Sequence, residues 1–377
     1  MDTRSFSTKT ERRVKENPRV NGTRIIGLDI GYSGPKGFHE NGNFRFPNFC
    51  QKMTGEQFGE LNKNEIIYED LETGDKYYVG DIATKSLRED SVVTEDSLFG
   101  RNHYLHPNFL VVTRTALAFS LWDGAATDGS NLFIQTGLPP AYLAKDELYL
   151  RNVLQQRHHF AVTAGKERKV FDITLNKEQI DVMYQPMGTF YSIVFDNDGK
   201  MTPAVKDYMN SNLLLFDGGF GTLDKFLVCG KELKIKDTNS NLGMRRLLDE
   251  TRKLILEDIG VDISIPAMQT CLKTGEVKKT DIINLKVDSY SIDGYLEKAN
   301  ELVREEAFES IKDYVFDIKY LIMSGGTGAA WCDYFKERLK GISSLKVIPG
   351  NQGSNLPMVY ANARGYYMYR LNELRYR

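Results

Sequence analysis

Two short segments of the sequence share a pattern that suits phosphate binding. Residues 29–32 (DIGY) and 217–220 (DGGF) each follow an apolar run and each read aspartate, any residue, glycine, aromatic. Glycine lets backbone N–H groups converge on phosphate oxygens without a Cβ in the way. One such turn is weak evidence because glycine is common in tight turns, but two copies predict a pair of equivalent phosphate-binding hairpins. The ligands expected there are Gly31, Tyr32, Ser33, Gly218 and Gly219.

The aspartates of these hairpins indicate a metal ion. A carboxylate beside a bound triphosphate is repelled unless Mg²⁺ lies between them, and this ion usually keeps several waters. We therefore expect Asp29 and Asp217 to be catalytic and to hold Mg²⁺ through water from opposite sides of a cleft. Lys36 is expected to meet a phosphate as a point charge, and Thr222 to donate to one. The alternative is that the aspartates only form turns and that Lys36 is solvated.

The elements that must position these residues alternate between strands and helices. Apolar runs predict strands, and apolar periodicity bounded by proline or glycine predicts helices. In the first half we expect strands at residues 24–30, 36–39, 44–46, 66–69, 76–79, 131–136, 170–175 and 180–184, and helices at 109–121 and 142–154. In the second half we expect strands at 213–216, 223–228, 320–323 and 345–348, and helices at 244–259, 292–314, 329–339 and 358–371. The predicted fold class is α/β.

Composition and charge narrow the class of protein. With 377 residues and 41% hydrophobic content, the chain is long enough for two domains. Lys plus Arg number 49 against 51 for Asp plus Glu, so there is no overall positive field for direct nucleic-acid binding. The cysteines lack metal-ligand spacing, and no apolar run approaches the ~20 residues that span a bilayer. We therefore expect a cytoplasmic protein that makes no membrane contact, with a disordered leader at residues 1–22.

Together these motifs resemble those of the actin, Hsp70 and hexokinase superfamily. Residues 29–36 (DIGYSGPK) are similar to its first phosphate motif, 217–224 (DGGFGTLD) to its second, and 324–329 (SGGTGA) to its adenosine motif. The connecting segments 136–139 (TGLP) and 360–365 (YANARG) also fit. The resemblance implies an actin-like fold, in which two duplicated RNase H-like α/β domains flank a nucleotide cleft.

The resemblance also implies domain boundaries and further nucleotide contacts. The expected parts are domain I at residues 23–205 with an insertion subdomain at about 40–105, domain II at 206–355, and a C-terminal helix at 356–377 that returns to domain I. Glycines that begin a helix after a buried strand suit close approach of a nucleotide to the backbone. The contacts expected at this end are Gly243, Arg246, Glu250, Gly325, Gly326 and Thr327. For Arg246 and Glu250, a solvated helix face is at least as good an interpretation.

Within the superfamily, residues 79–83 (VGDIA) and 182–188 (VMYQPMG) look most like ParM-type bacterial actins and their archaeal relatives. This resemblance implies an ATPase that binds ATP or ADP with Mg²⁺, with GTP as the alternative nucleotide. It also implies head-to-tail filaments that move plasmids through a ParR-like adaptor bound to centromeric DNA.

Gln185 lies where some members have a glutamate and actin has a glutamine. Because a carboxamide takes up no proton at neutral pH, Gln185 is expected to orient the attacking water; the alternative is an ordinary polar residue at a strand end.

Two other functions occur on the same fold. A small-molecule kinase needs a carboxylate to accept the proton of a substrate hydroxyl, and Gln185 fits water better than an alcohol. An Hsp70-type chaperone needs a peptide-binding domain, for which the sequence leaves no room after the closing helix. We therefore expect a filament-forming ATPase. In such a protein, Asp217→Ala should remove most of the hydrolysis without disturbing the fold, and removal of residues 1–22 should leave hydrolysis near its normal rate.

Overall fold

Two sheets form the frame of the protein in the computed structural model, which describes residues 3–57, 59–86 and 103–376. The first sheet contains β1 (Glu11–Val14), β2 (Arg24–Gly31), β3 (Gly34–His39), β4 (Gly42–Arg45), β8 (Leu132–Leu138) and β11 (Ile180–Tyr184). Their spatial order is β1-β4-β3-β2-β8-β11. The strands β2, β3 and β4 form an antiparallel meander, and β8 and β11 extend the sheet in parallel.

The second sheet repeats this topology. It contains β12 (Leu213–Gly218), β13 (Leu223–Cys229), β14 (Glu232–Asn239), β17 (Tyr320–Ser324) and β18 (Lys346–Pro349), in the spatial order β14-β13-β12-β17-β18. Again an antiparallel meander of three strands is followed by two parallel strands. Once β1 is set aside, the two sheets have equivalent strand orders, which confirms the predicted α/β fold built from duplicated domains.

A third sheet covers one end of the first domain. It contains β5 (Cys50–Lys52), β6 (Ile66–Asp70), β7 (Lys76–Val79), β9 (Arg157–Ala164) and β10 (Glu167–Thr174), in the order β10-β9-β6-β7-β5. The insertion predicted at residues 40–105 therefore shares its sheet with a hairpin from later in the chain, and residues 58 and 87–102 of that insertion lie outside the described residues. A separate hairpin, β15 (Glu276–Asp281) and β16 (Lys286–Ser291), lies in the second half of the chain.

The helices pack on these sheets. They are α1 (Asp81–Ser86), α2 (Pro107–Leu121), α3 (Leu143–Leu154), α4 (Gln185–Val194), α5 (Val205–Asn210), α6 (Met244–Ile259), α7 (Ile265–Thr274), α8 (Asp293–Glu309), α9 (Gly325–Leu339) and α10 (Ala361–Arg375). The helix predicted at residues 329–339 begins earlier, because the small residues of its first turn carry no apolar periodicity. The sequence did not predict α4 or α7.

Two helices, α4 and α10, join the duplicated halves. The helix α4 follows β11 and packs against β12, whereas α10 follows β18 and packs against β2. They approach most closely at Gly188 and Gly365, where a Cβ added to Gly365 would lie 1.6 Å from the Gly188 carbonyl oxygen. The buried guanidinium of Arg364 donates to the carbonyl oxygens of Phe195 (3.1 Å) and Asp196 (2.9 Å), just beyond the C-terminal end of α4. A cation is favourable at that end of a helix.

The leader is structured, which corrects the prediction of disorder over residues 1–22. Thr3–Phe6 form a short 3₁₀ helix, and Glu11–Val14 form β1, which pairs with the edge strand β4. Phe6 is buried. The segment ERRV has neither apolar alternation nor a neighbouring turn signal, so its strand depends on a partner that is distant in the sequence.

We predict that Gly365→Ala destabilises the protein, because the added Cβ would force α4 and α10 apart. Overpacking of this kind costs ~1–3 kcal/mol. The matched control is Gly294→Ala in α8, where an added Cβ meets no atom within 4 Å and alanine is favoured over glycine by ~0.5–1 kcal/mol. Thermal unfolding compares the two variants. Equal midpoints would contradict the close packing at the helix crossing.

Candidate functional site

The two hairpins face one cleft between the domains. The cleft contains about 1180 Å³ of space, including its open mouth. Most of the residues predicted from the sequence line it: Asp29, Gly31, Tyr32, Ser33, Lys36, Gln185, Asp217, Gly219, Thr222, Gly325, Gly326 and Thr327.

The first hairpin places a buried ion pair at the cleft wall. Asp29 and Lys36 are direct partners across β2 and β3, and Lys36 Nζ lies 3.7 Å from Asp29 Oδ2. Gly31 makes room for this lysine, since a Cβ there would lie 2.8 Å from Nζ. Burial raises the pKa of Asp29, with Lys36 opposing the rise and the charge of Asp217 adding to it. The two carboxylates therefore repel each other across the cleft.

The second hairpin places Asp217 at the meeting point of three elements. Its side chain is buried, and it accepts hydrogen bonds from Ser324 Oγ (3.0 Å), Gln185 Nε2 (3.0 Å) and Asn362 Nδ2 (2.7 Å). Thr189 Oγ1 donates to Asn362 Oδ1 at 2.7 Å and fixes that amide. All three donors to Asp217 are neutral, so they orient the carboxylate without neutralising it.

Glycines let β12 and α9 approach each other behind the cleft. Gly325 has φ of +79°, and a Cβ there would lie 2.2 Å from the Gly218 carbonyl oxygen. A Cβ on Gly218 would lie 2.7 Å from the Gly328 nitrogen. Gly218, which the sequence predicted as a ligand, thus packs behind the wall of the cleft and does not line it.

The first turn of α9 supplies part of the cleft wall beside the second hairpin. Thr327 Oγ1 donates to the Gly219 carbonyl oxygen at 2.7 Å, so its hydroxyl holds the second hairpin against α9. A Cβ added to Gly326 would meet no atom within 4 Å, because this backbone faces open space. A helix N-terminus directed at open space is suited to an anion.

The orientation of Gln185 follows from its contact with Asp217. This residue begins α4 directly after β11. An ionised carboxylate only accepts hydrogen bonds, so the amide nitrogen of Gln185 faces Asp217 and its oxygen is left to accept from water. A glutamate here would place two carboxylates within hydrogen-bonding distance.

Asp224 is a third aspartate near the second hairpin. Thr222 Oγ1 lies 3.4 Å from Asp224 Oδ2, so the hydroxyl predicted to serve a phosphate is directed at this residue. Burial raises the pKa of Asp224 well above its usual range, and the charge of Asp217 adds to the effect. Burial and the neighbouring charge of Asp217 thus both disfavour the charged form of Asp224.

Three predicted contacts lie away from the cleft. Arg246 Nη1 pairs with Glu250 Oε1 at 2.9 Å along α6, and Glu250 also binds Lys253. Gly243 precedes α6, and its neighbour Met244 lines the cleft in its place. The side chains of Arg246 and Glu250 pair with each other on a charged face of α6, which is the alternative interpretation that the sequence offered for them.

Sequence reasoning missed Ser324 and Asn362 as ligands of Asp217. The fragment YANARG signalled a helix of small residues, but nothing in it marked Asn362 as a partner of Asp217. Residues 6–9 of the leader also line the cleft. No local pattern predicted that placement, because it depends on the path of the folded chain.

Comparison with known proteins supports the same class. Residues 27–188 match the family described as actin like proteins, N terminal domain, and no curated protein sequence matches the chain. The chain is similar to a non-polymerisable quadruple mutant of pCBH ParM, with 18% identity and a TM-score of 0.69 over 93% of this chain and 99% of that one. It is similar to ParM in a 15-stranded filament from Clostridium botulinum, with 17% identity and a TM-score of 0.67 over 92% and 98%. It is also similar to an archaeal actin homologue in complex with ADP, with 14% identity and a TM-score of 0.58 over 92% and 99%.

Residues 27–188 therefore form an actin-like N-terminal domain, and the chain as a whole has the actin-like fold. Within this class, its fold is that of the ParM-type actin-like proteins, as residues 79–83 and 182–188 led us to expect. Among the helices that the structure describes, none is long and apolar enough to cross a bilayer.

The contacts of Asp217 change the expectation that Asp217→Ala leaves the fold undisturbed. The substitution leaves donors on Gln185, Ser324 and Asn362 without their acceptor, and each buried unsatisfied group costs ~1–3 kcal/mol. We predict a lower thermal unfolding midpoint without nucleotide. The control is Asp333→Ala, whose side chain is 94% exposed. An unchanged midpoint for Asp217→Ala would contradict the network.

Proposed function

We propose that the protein hydrolyses ATP and assembles head to tail into filaments. The observation that carries this proposal is that the buried aspartates of two duplicated hairpins face one cleft from different domains. A ligand that contacts both hairpins must bridge the domains. Nucleotide binding is thereby coupled to the relative position of the two halves of the chain.

The donor set of the cleft fits Mg²⁺ bound with a nucleotide. Mg²⁺ prefers carboxylate and water oxygens, and Asp29 and Asp217 offer carboxylates from opposite walls. Burial raises the pKa of Asp29, and the charge of Asp217 adds to the rise; a divalent cation between the two carboxylates would relieve their mutual repulsion. Asp29 and Asp217 would hold the ion through water, and the nucleotide is ATP, with GTP as the alternative.

The remaining walls suit the phosphates. Lys36 brings a positive charge to the first hairpin. Gly31, Gly219 and Gly221 bring the backbone of both hairpins to the cleft wall without a Cβ in the way, and the N-terminus of α9 adds the positive end of a helix dipole. These groups bind and orient the triphosphate.

Gln185 is placed to orient the attacking water. Bound ATP with Mg²⁺ supplies a γ-phosphoryl group that is open to attack by water. With its amide nitrogen held by Asp217, the Gln185 oxygen accepts a hydrogen bond from that water. A carboxamide takes up no proton at neutral pH, so positioning is its contribution to hydrolysis.

A ligand shifts an equilibrium towards the state that it binds better. Nucleotide that contacts both hairpins would favour the closed cleft, and the closed form would be the one that assembles. The similarity to ParM in a filament supports self-association, and the similarity to an actin homologue in complex with ADP supports nucleotide binding. With 49 basic and 51 acidic residues, the chain suits a protein that reaches DNA indirectly. We propose that a ParR-like adaptor on centromeric plasmid DNA makes this connection in the bacterial cytoplasm.

We predict that purified protein forms filaments with ATP and Mg²⁺ and does not form them without nucleotide. Electron microscopy of the two samples tests this prediction. The Asp29→Asn variant is a useful comparison, since it removes a carboxylate while keeping the shape of the side chain. Absence of filaments in both samples, together with phosphate transfer to a small hydroxyl compound, would overturn the proposal in favour of a kinase.

We predict that Gln185→Ala separates assembly from hydrolysis. Phosphate and metal contacts remain, so ATP binding and filament formation should persist. Loss of a positioned water should slow hydrolysis by about 10²-fold, and the filaments should last longer. Light scattering and phosphate release, followed together, measure both steps. Gln352→Ala, at an exposed glutamine outside the cleft, is the control; hydrolysis at the wild-type rate in Gln185→Ala would remove this residue from the mechanism.

A further inference from the structure

Residues 3–14 of the leader cross from one domain to the other along the cleft. At the domain II end, the 3₁₀ helix Thr3–Phe6 packs against α7 and α9. Phe6 is 7% exposed and belongs to the buried apolar cluster that includes Met244, Met268 and Trp331. A buried aromatic side chain is a strong anchor, because its transfer from water is favourable by ~1.5–3 kcal/mol.

Polar contacts continue this attachment. The backbone nitrogen and the hydroxyl of Thr8 both donate to Gln269 Oε1 of α7, at 3.1 and 3.2 Å. Gln269 is 2% exposed. These partly buried hydrogen bonds fix the leader to domain II immediately before it crosses the cleft.

The domain I end is held by a strand and by charged side chains. The strand β1 pairs with β4, from Glu11 opposite Arg45 to Val14 opposite Gly42. Arg45 Nη2 lies 3.0 Å from Glu11 Oε2. The Arg12 guanidinium lies 4.9 Å from the centre of the Trp122 ring, within the range of a cation–π contact.

Asp81 links the leader to both domains. One of its carboxylate oxygens accepts from the Thr10 backbone nitrogen at 2.7 Å, and the other pairs with Lys273 Nζ at 2.6 Å. Asp81 begins α1 in domain I, whereas Lys273 lies in α7 of domain II. This contact therefore joins the two domains at the point where the leader passes between them.

The segment between these anchors forms part of the cleft wall. Phe6, Ser7, Thr8 and Lys9 line the same cavity as Asp29, Asp217 and Gln185. Lys9 brings a positive charge to a site whose expected ligand is an anion. Separation of the domains would require the Thr8–Gln269 bonds, the Phe6 anchor or the β1 pairing to break.

We propose that residues 6–10 act as a strap that completes the nucleotide site and slows release of bound nucleotide. This inference rests on the proposed nucleotide-binding function. Since either anchor must be released before the cleft opens fully, weakening the domain II anchor should speed dissociation. The sequence led us to expect that removal of residues 1–22 leaves hydrolysis near its normal rate, whereas the strap predicts that removal of the leader speeds the release of bound nucleotide.

The test is displacement of a fluorescent ADP analogue by excess ADP, followed by stopped-flow fluorescence with the full-length protein. Phe6→Ala and Gln269→Ala should each raise the dissociation rate about tenfold, the factor that corresponds to about 1.4 kcal/mol. The double variant should be little faster than the faster single variant, because both changes release the same strap. Val170→Ala, at a 55% exposed position in β10 outside the leader, should match the wild type.

The outcomes separate this inference from the proposed function. Failure of the wild-type protein to bind the analogue would overturn both. Binding by all variants with unchanged dissociation rates would overturn the strap alone. Thermal unfolding shows whether Gln269→Ala is folded, and removal of residues 1–10 provides a variant in which Gln269 and the other residues of α7 and α9 keep their own side chains. Unchanged dissociation after that removal would also overturn the strap.

Discussion

The arrangement of the domains depends on the buried carboxylate of Asp217. It accepts hydrogen bonds from Gln185 at the start of one linking helix, from Asn362 in the other, and from Ser324 at the end of β17. A buried charge is costly unless it is well hydrogen-bonded. Since neutral donors spread this charge without cancelling it, the site retains a demand for a cation, and both linking helices meet at this carboxylate.

This constraint explains why chemistry and domain position are linked. Each linking helix follows the last strand of one sheet and packs against the central strand of the other. At Gly188 and Gly365 the two helices cross so closely that no side chain fits between them. The two helices therefore either move as a unit or come apart. Gln185 and Asn362 thus connect Asp217 to both linking helices. The leader adds a second connection, at the opposite edge of the cleft.

The sequence predicted the duplicated hairpins and most of the central strands, because an apolar run that ends in Asp-x-Gly is a local signal. It also predicted that residues 29–36 and 217–224 share one cleft, through their resemblance to a known superfamily. It did not predict the roles of Asn362 or Ser324, or the strand Glu11–Val14, because each depends on a partner distant in the sequence. Arg246 and Glu250 could not be placed, since a charged helix face and a ligand-binding face have the same pattern.

The central claim is that Asp29 and Asp217 form a single site for Mg²⁺ and nucleotide across two domains. Calorimetric titration of the protein with ATP, once with Mg²⁺ and once with excess EDTA, tests it most directly. The account predicts tight binding with Mg²⁺ and much weaker binding with EDTA, because without the cation the triphosphate meets two carboxylates. Equal affinity under both conditions would contradict the account.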